Sequence, residues 1–149
     1  MSRIILLLIL GHFFAALFVY LNHRFVFHGK LGNLPLLKKF TTYHTLHHAH
    51  PIGKKCHQHI FVPLWAKILF ILVYSLVGYV FSGWFALGMV SFSGYYSINH
   101  LKIHEKLLKT HSYYHHIDHH GRPDNNFSGM YPFIDQIFGS YIESRPIEK

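Results

Sequence analysis

Residues 4–28 have the sequence IILLLILGHFFAALFVYLNHRFVFH, an apolar run that leads directly into two histidines. An α-helix rises about 1.5 Å per residue, so about 20 apolar residues cross the roughly 30 Å of hydrocarbon in a bilayer. Residues 4–21 approach this length, and they exceed the apolar core of a typical signal peptide. The stretch therefore predicts an uncleaved membrane-spanning helix that ends near His23.

Two further apolar stretches, at about 61–81 and 84–100, lie next to each other in the chain. Ser82 and Gly83 form the only break between them, which predicts a tight hairpin of two spanning helices. The expected fold class is an all-α integral membrane protein with about three transmembrane helices and cytoplasmic helices that cap a dimetal histidine site. Residues 1–149 would form a single domain, because a chain of 149 residues is one domain at most.

Lysine and arginine are concentrated in two polar segments, at 22–59 and 99–149, and only Arg3 lies at the opposite end of the first span. Since a hairpin returns the chain to the side it left, both segments face one compartment, and their positive charge predicts that it is the cytoplasm. The N-terminus would then lie outside. A two-span protein whose first segment is only embedded in the bilayer is an alternative.

The composition argues against several other classes of protein. The chain carries 14 Lys and Arg against 6 Asp and Glu, for a net charge of +8, and half of it is apolar. The positive residues form neither a basic repeat nor a basic helix face, so they favour membrane topology over nucleic-acid binding. Cys56 is the only cysteine, which excludes an intrachain disulfide and a multi-thiolate zinc site.

Ten of the 16 histidines form four clusters with the spacings H-x4-H, H-x-x-H-H, H-x3-H and H-x-x-H-H. These candidate catalytic and metal-binding residues are His23, His28, His44, His47, His48, His100, His104, His116, His119 and His120. A helix turns about 100° per residue, so each H-x-x-H-H box is expected to point three imidazoles one way. The H-x4-H pair is offset by about 140°, which predicts that the helix is frayed or bent at His28.

Neutral imidazole is a good ligand for iron, zinc and copper. Ten ligands are too many for one ion, whereas two ions with five or six ligands each would use them all. Such a coordination number suits iron better than a closed tetrahedral zinc site. A solvated histidine-rich surface is the simplest alternative, but such tracts are usually contiguous rather than spaced at helical intervals.

Other functions are open at this point. A membrane metal transporter or metal chaperone would also need histidines at helix ends, but it predicts ligands along a path through the spans, where His12 is the only candidate. A haem-binding membrane cytochrome would place axial histidines on facing helices. A catalytically inactive relative that merely binds metal is a further alternative.

The histidine boxes and the C-terminal tail resemble those of the fatty acid hydroxylase and sterol desaturase superfamily of membrane di-iron enzymes. The matching stretches are 23–29, 44–48, 99–104 and 116–120, and then a tail motif formed by Asn126, Phe127, Pro132, Asp135, Phe138, Gly139, Ser140 and Tyr141. Together they cover about residues 20–141, in the order and separation of the family. The chain departs from the family pattern at Ser97, Ser128 and Ile134.

The resemblance implies an oxidoreductase that uses dioxygen to hydroxylate or desaturate a C–H bond of a lipid. The ten box histidines carry over as ligands of two non-haem iron ions, for which zinc can substitute in a purified sample. The lipid would enter from the bilayer, and an external donor (a reductase, a b-type cytochrome or a ferredoxin) would supply electrons. The 2-hydroxylases of fatty acids look closest in box order, and a carotenoid or sterol-type hydroxylase is the alternative.

Ligating imidazoles usually donate their other N–H to a carboxylate or a carbonyl. The candidates for this supporting role are Asp118, Asp135, Asn99 and Glu105. His12 lies about three helical turns before His23, and we expect it to hydrogen-bond a neighbouring helix. The other histidines are expected to be solvated and not to bind metal; they are His50, His57, His59, His111 and His115.

Overall fold

The computed structural model describes residues 2–50, 64–107 and 110–144, and within these ranges the chain is helical and has no β-strand. The all-α prediction is therefore confirmed for the described residues. The helices are α1 (Arg3–Asn22), α2 (Pro35–Ala49), α3 (Leu64–Phe81), α4 (Gly83–His104), α5 (His111–Gly121) and α6 (Pro132–Ile137). A π-helical turn, His23–Phe27, and a 3₁₀ turn, Lys30–Asn33, connect α1 to α2. The start of the second predicted span, 61–63, lies outside the described residues, as do Cys56, His57 and His59.

The first predicted span is helical and apolar. Ser2 caps α1 with its hydroxyl, which accepts a hydrogen bond from the Ile5 N–H at 3.4 Å. The continuous helical segment Arg3–Phe27 has 25 residues and is long and apolar enough to cross a membrane; among the described residues it alone meets that criterion. Helix α3 contributes a shorter apolar stretch, Ile71–Phe81. One span is therefore supported by length and composition, and the other two stay predictions.

Large apolar side chains point outward from α1 and α3. Ile5 and Leu10 on α1 are about half exposed, and Leu72, Leu76 and Val80 on α3 are exposed still more. Soluble monomers rarely present a surface so rich in large aliphatic groups, whereas lipid contact requires one. The outer faces of these two helices are consistent with a bilayer environment.

Helices α1 and α4 pack with their backbones in close contact. A Cβ added to Gly11 would clash with the carbonyl oxygen of Phe85, and a Cβ added to Gly88 would clash with the carbonyl oxygen of Leu8. Small residues at such crossings let helices approach closely enough to gain dispersion energy along their whole contact. The two glycines therefore fix how α4 lies on α1, and with it where His23 and His100 lie at the ends of these helices.

The hairpin between α3 and α4 is present where the sequence predicts it. Ser82 alone separates the two helices, and its hydroxyl accepts a hydrogen bond from the Phe85 N–H at 3.1 Å.

The tail after α6 returns to the end of α1. There the Tyr20 ring stacks on Phe138 with a centroid separation of 5.1 Å, and the Tyr20 hydroxyl lies 2.8 Å from Ser140 Oγ.

Candidate metal centre

The H-x4-H pair is arranged by the π-helical turn at the end of α1. The His28 N–H donates to the His23 carbonyl oxygen at 3.1 Å, which is the i→i+5 bond of a π-helix. This wider turn places residue i+5 above residue i, and the two imidazole centroids are 5.1 Å apart. The predicted distortion of the helix is therefore present, and it lets two histidines at this spacing share a face.

The predicted histidines gather in two neighbouring clusters, in each of which the candidate donor nitrogens lie within 4.8 Å of one another. The first cluster consists of His23, His28, His44, His48 and His119. The second cluster consists of His47, His104, His116 and His120. His100 adjoins the second cluster, since its Nε2 is 3.0 Å from His116 Nε2 and 3.1 Å from His104 Nε2. Metal ligation by these ten residues stays a prediction.

Each H-x-x-H-H box divides its imidazoles between the two clusters. From α2, the i, i+4 pair His44 and His48 joins the first cluster, whereas His47 joins the second. From α5 the division is reversed, because the i, i+4 pair His116 and His120 joins the second cluster and His119 joins the first. The expectation that each box points all three rings at one place is therefore refined: the three rings share an arc of the helix, but that arc faces the boundary between two sites.

The Nε2 atoms converge within each cluster. In the first, His44 Nε2 lies 3.1 Å from His23 Nε2 and 2.8 Å from His28 Nε2. In the second, His116 Nε2 lies 2.9 Å from His104 Nε2 and 3.2 Å from His120 Nε2. A neutral imidazole has a single N–H, so three or more Nε2 atoms this close cannot all be satisfied by hydrogen bonds to each other. A cation placed among the lone pairs satisfies them together.

Buried ring nitrogens without partners support the same fit. Within the described part of the chain, His48 Nε2 and His119 Nε2 are buried and have no hydrogen-bond partner. An unpaired buried polar atom costs about 1–3 kcal/mol, so native proteins rarely leave one. These atoms face the interior of the first cluster, where a metal ion would coordinate them. The donor set is therefore suited to metal, and it consists of imidazole nitrogen alone.

Burial keeps the cluster histidines in the form that binds metal. Loss of solvation lowers the pKa of His48 to about 4 and the pKa of His119 to about 3, and repulsion from neighbouring histidines acts in the same direction. The same causes lower the pKa of His44 and of His116 well below the ordinary value of 6.5. These rings are neutral at pH 7, so they coordinate a cation without first releasing protons.

Two backbone carbonyls of the loop after α5 orient histidines of the first cluster. His23 Nδ1 lies 2.5 Å from the Phe127 carbonyl oxygen, and His119 Nδ1 lies 2.6 Å from the Asn125 carbonyl oxygen. Each ring must donate from Nδ1 to such an acceptor, which leaves the Nε2 lone pair for a metal ion. The sequence-based candidates for this role were all side chains, and the two backbone carbonyls were missed because any residue type can supply one.

The structure describes the surroundings of the four predicted supporting residues, whose role as partners of ligating imidazoles stays a prediction. Asp118 pairs with Arg122 and accepts a hydrogen bond from Asn126 Nδ2 at 3.1 Å. The Asn99 amide donates to the Tyr95 carbonyl at 2.8 Å. Asp135 is buried on α6, where it faces the loop that follows α5, and exposed Glu105 forms the C-terminal cap of α4. Asp118 and Asp135 therefore hold the loop that carries the carbonyls.

Asp135 is the centre of a buried hydrogen-bond network. Its carboxylate accepts from the Phe127 N–H at 2.8 Å, the Ser128 N–H at 2.9 Å and Ser140 Oγ at 2.8 Å. His115 Nε2 completes the set at 2.9 Å. Burial alone would raise the pKa of Asp135, but the hydrogen bonds from His115, Ser128 and Ser140 lower it below its ordinary value. The network ties α5, α6 and the loop into one unit.

Four described histidines lie outside the ten box positions: His12, His50, His111 and His115. His111 is exposed, as expected for a solvated residue, whereas His50 is half-buried. The prediction of a solvated His115 is wrong, because that side chain is fully buried against Asp135. His12 does hydrogen-bond a neighbouring helix, with Nδ1 3.0 Å from Ser91 Oγ, and its Nε2 lies 2.7 Å from the Tyr131 hydroxyl.

Comparison with known proteins gives one family. The model of the family described as fatty acid hydroxylase matches residues 8–140, which include all ten box histidines and most of the tail motif. No curated protein and no solved structure matches the chain. The family match covers far more than half of the sequence and coincides with the segment that builds both histidine clusters. The chain belongs to the fatty acid hydroxylase family.

Proposed function

We propose that this protein is a membrane-bound non-haem di-iron oxygenase that hydroxylates or desaturates a C–H bond of a lipid, most simply a fatty-acyl chain. One observation carries the proposal: two adjacent all-imidazole clusters lie at the end of an apolar helix long enough to span a bilayer. The family match supports the same class of oxidoreductase. A sterol- or carotenoid-type substrate is the alternative within this superfamily.

The donor set favours iron. The first cluster would hold one ion through five imidazoles, and the second would hold another through four imidazoles and the adjacent His100. Five nitrogen ligands exceed what a tetrahedral structural zinc site accepts, and they suit a metal that prefers higher coordination. Bound iron supplies the activation of dioxygen that oxidation of an unreactive C–H bond requires.

The protein's own residues orient the ligands and limit the access of water. Carbonyls of the loop after α5 fix the His23 and His119 rings, and the buried Phe127 ring packs within 5.8 Å of His23, centroid to centroid. Tyr20 and Phe138 cover the adjoining end of α1. Rigid surroundings that exclude water protect a reactive site from side reactions.

We propose that the reaction takes place beside the bilayer. Outward-facing aliphatic residues on α1 and α3 are suited to lipid, and the clusters begin where the apolar part of α1 ends. We place this face in the cytoplasm with the N-terminus outside, according to the distribution of Lys and Arg. We propose that electrons come from an external reductase, b-type cytochrome or ferredoxin.

The placement of His12 favours an enzyme over a metal transporter. A transport path needs free ligands within the membrane, but both ring nitrogens of His12 lie within hydrogen-bond distance of other side chains, those of Ser91 and Tyr131. This histidine therefore stabilises the contact of α1 with α4 and with the segment before α6. The ligands are concentrated at one end of α1 instead.

The proposal is tested by expressing the protein with iron and comparing cellular lipids with those of a His119→Ala variant. His111→Ala is the matched control, because His111 lies on the same helix but is exposed. A hydroxylated or newly unsaturated lipid made by the wild type and the control, but not by His119→Ala, supports the proposal. Metal analysis that finds two iron ions per chain, together with an absorption spectrum without a Soret band, would distinguish this protein from a haem protein. Identical lipids in all strains would contradict the enzyme assignment.

A further inference from the structure

The loop formed by residues 125–128 supports two rings of the first cluster. Its Asn125 and Phe127 carbonyls accept hydrogen bonds from His119 and His23, and both histidines belong to the first cluster. These bonds fix the tautomer and the ring orientation before an ion arrives. Acceptors of this kind strengthen metal binding, and losing one typically costs about tenfold to a hundredfold in affinity.

The second cluster has no such support at two of its rings. His116 and His120 face each other through Nε2, 3.2 Å apart. Their Nδ1 atoms are buried and have no hydrogen-bond partner in the described ranges of the chain. If Nε2 binds a metal ion, the ring proton must lie on Nδ1, for which the described residues offer no hydrogen-bond acceptor. Coordination by these two rings therefore carries a penalty that His23 and His119 avoid.

Asn126 holds the supporting loop in place. It is fully buried and has a φ of 58°, a left-handed conformation that asparagine tolerates better than most residues. Its Nδ2 donates to Asp118 Oδ2 at 3.1 Å and to the Ile142 carbonyl at 3.2 Å, and its Oδ1 accepts from the Ile142 N–H at 2.9 Å. Because Asn126 lies between the two carbonyl-bearing residues, its conformation sets the direction of both carbonyls.

We propose that the two metal positions are unequal: the first cluster binds its ion more tightly than the second, and Asn126 is the positioning residue that gives it this advantage. The inference rests on the proposed function in one respect only, namely that both clusters bind an ion. It predicts an ordered loading of the protein, in which the first cluster fills at metal concentrations that leave the second empty.

The test uses the full chain in detergent and cobalt or zinc alone as the probe. His104→Ala/His120→Ala disables the second cluster, and His28→Ala/His48→Ala disables the first. Metal affinity is measured for each single-cluster protein by competition with a chromophoric chelator. The protein that retains the first cluster is expected to bind about tenfold to a hundredfold more tightly.

Asn126→Ala is then added to each single-cluster protein. It is expected to weaken the first cluster by about tenfold or more and to leave the second within about threefold. Asn125→Ala is the matched control, because it keeps the backbone carbonyl and has no left-handed conformation to lose. If Asn126→Ala does not fold, Asn126→Gly carries the test, since glycine keeps the positive φ but loses all three side-chain hydrogen bonds.

The outcomes separate this inference from the proposed function. Equal affinities of the two single-cluster proteins, or equal weakening of both by the Asn126 variant, would overturn the inference while two ions still bind the wild type. A wild type that binds no metal stoichiometrically would instead contradict the proposed function itself. Tighter binding by the first cluster together with selective loss in the Asn126 variant supports the inference.

Discussion

His48 and His120 stack with ring centroids 4.3 Å apart and an interplanar angle of 30°, although they belong to different clusters. The two rings come from α2 and α5, so this pair joins the helices where the clusters meet. The two clusters therefore share a packing contact at their boundary, while each keeps its own set of donor nitrogens.

The stacked pair predicts energetic coupling between the clusters. In metal-free protein, the destabilisations caused by His48→Ala and His120→Ala are expected to be non-additive by about 0.5–1.5 kcal/mol, the range for aromatic pairs. Unfolding in SDS followed by circular dichroism measures the double-mutant cycle. A cycle of His48→Ala with exposed His111→Ala serves as the control and should be additive. If the changes in unfolding free energy were additive in both cycles, the stacking of His48 on His120 would contribute nothing to stability.

Two glycines of α4 are expected to respond in opposite ways to a methyl group. Gly88→Ala drives its Cβ into the Leu8 carbonyl and should destabilise the protein by about 1–3 kcal/mol, because neither backbone can move easily. Gly94→Ala meets no atom within 4 Å and should stabilise the helix by up to about 1 kcal/mol. Thermal melting in detergent gives both values. If both substitutions changed the melting temperature in the same direction, the close packing of α1 on α4 would be refuted.

The buried carboxylate of Asp135 is expected to be essential for stability. Asp135→Asn replaces one accepting oxygen by an amide that faces donors, so the cost should be about 1–3 kcal/mol, the penalty for buried polar groups left without a partner. Thermal melting of the metal-free protein isolates this effect from metal binding. Asp124→Asn provides the control, because Asp124 is exposed and should change the melting temperature little. A small effect at Asp135 would mean that the network is not formed.

The metal-free protein is expected to lose stability on acidification between pH 6.5 and about pH 4. The pKa of His48 is about 4 in the folded chain against an ordinary value of 6.5, so the unfolded chain binds more protons in this window. Stability therefore falls as the pH falls. Asp135 adds to the loss only below its ordinary pKa of 3.8, outside this window. Melting temperatures at pH 7 and pH 5 provide the measurement.

A pair of substitutions isolates the histidine contribution to this pH dependence. His48→Gln removes one titrating ring and should reduce the loss of melting temperature between pH 7 and pH 5. His111→Gln removes an exposed ring and should leave that loss unchanged. If both variants behave like the wild type, the buried clusters do not govern acid stability.

The sequence by itself determined the helical class and the identity of the ten histidines that gather at the site. The local periodicity of the sequence is enough for both inferences, because an apolar run of this length specifies a helix and histidines at i, i+3 and i+4 share a helical arc. The H-x4-H spacing even indicated the distortion at His28, because five residues do not close a regular α-helical turn. These features depend on near neighbours in the chain, which a sequence displays directly.

Only the tertiary structure decided how the rings are divided and supported. Whether His47 joins His44 or His104 depends on how α2 lies against α4 and α5, and periodicity within α2 carries no information on that angle. The carbonyl of Phe127 reaches His23 because the tail folds back over 104 residues of chain, fixed by Asp135 and Asn126. Burial of His115 has the same origin, since its partner Asp135 lies on another helix. Contacts between distant segments arise from packing, and packing is a property of the folded chain as a whole.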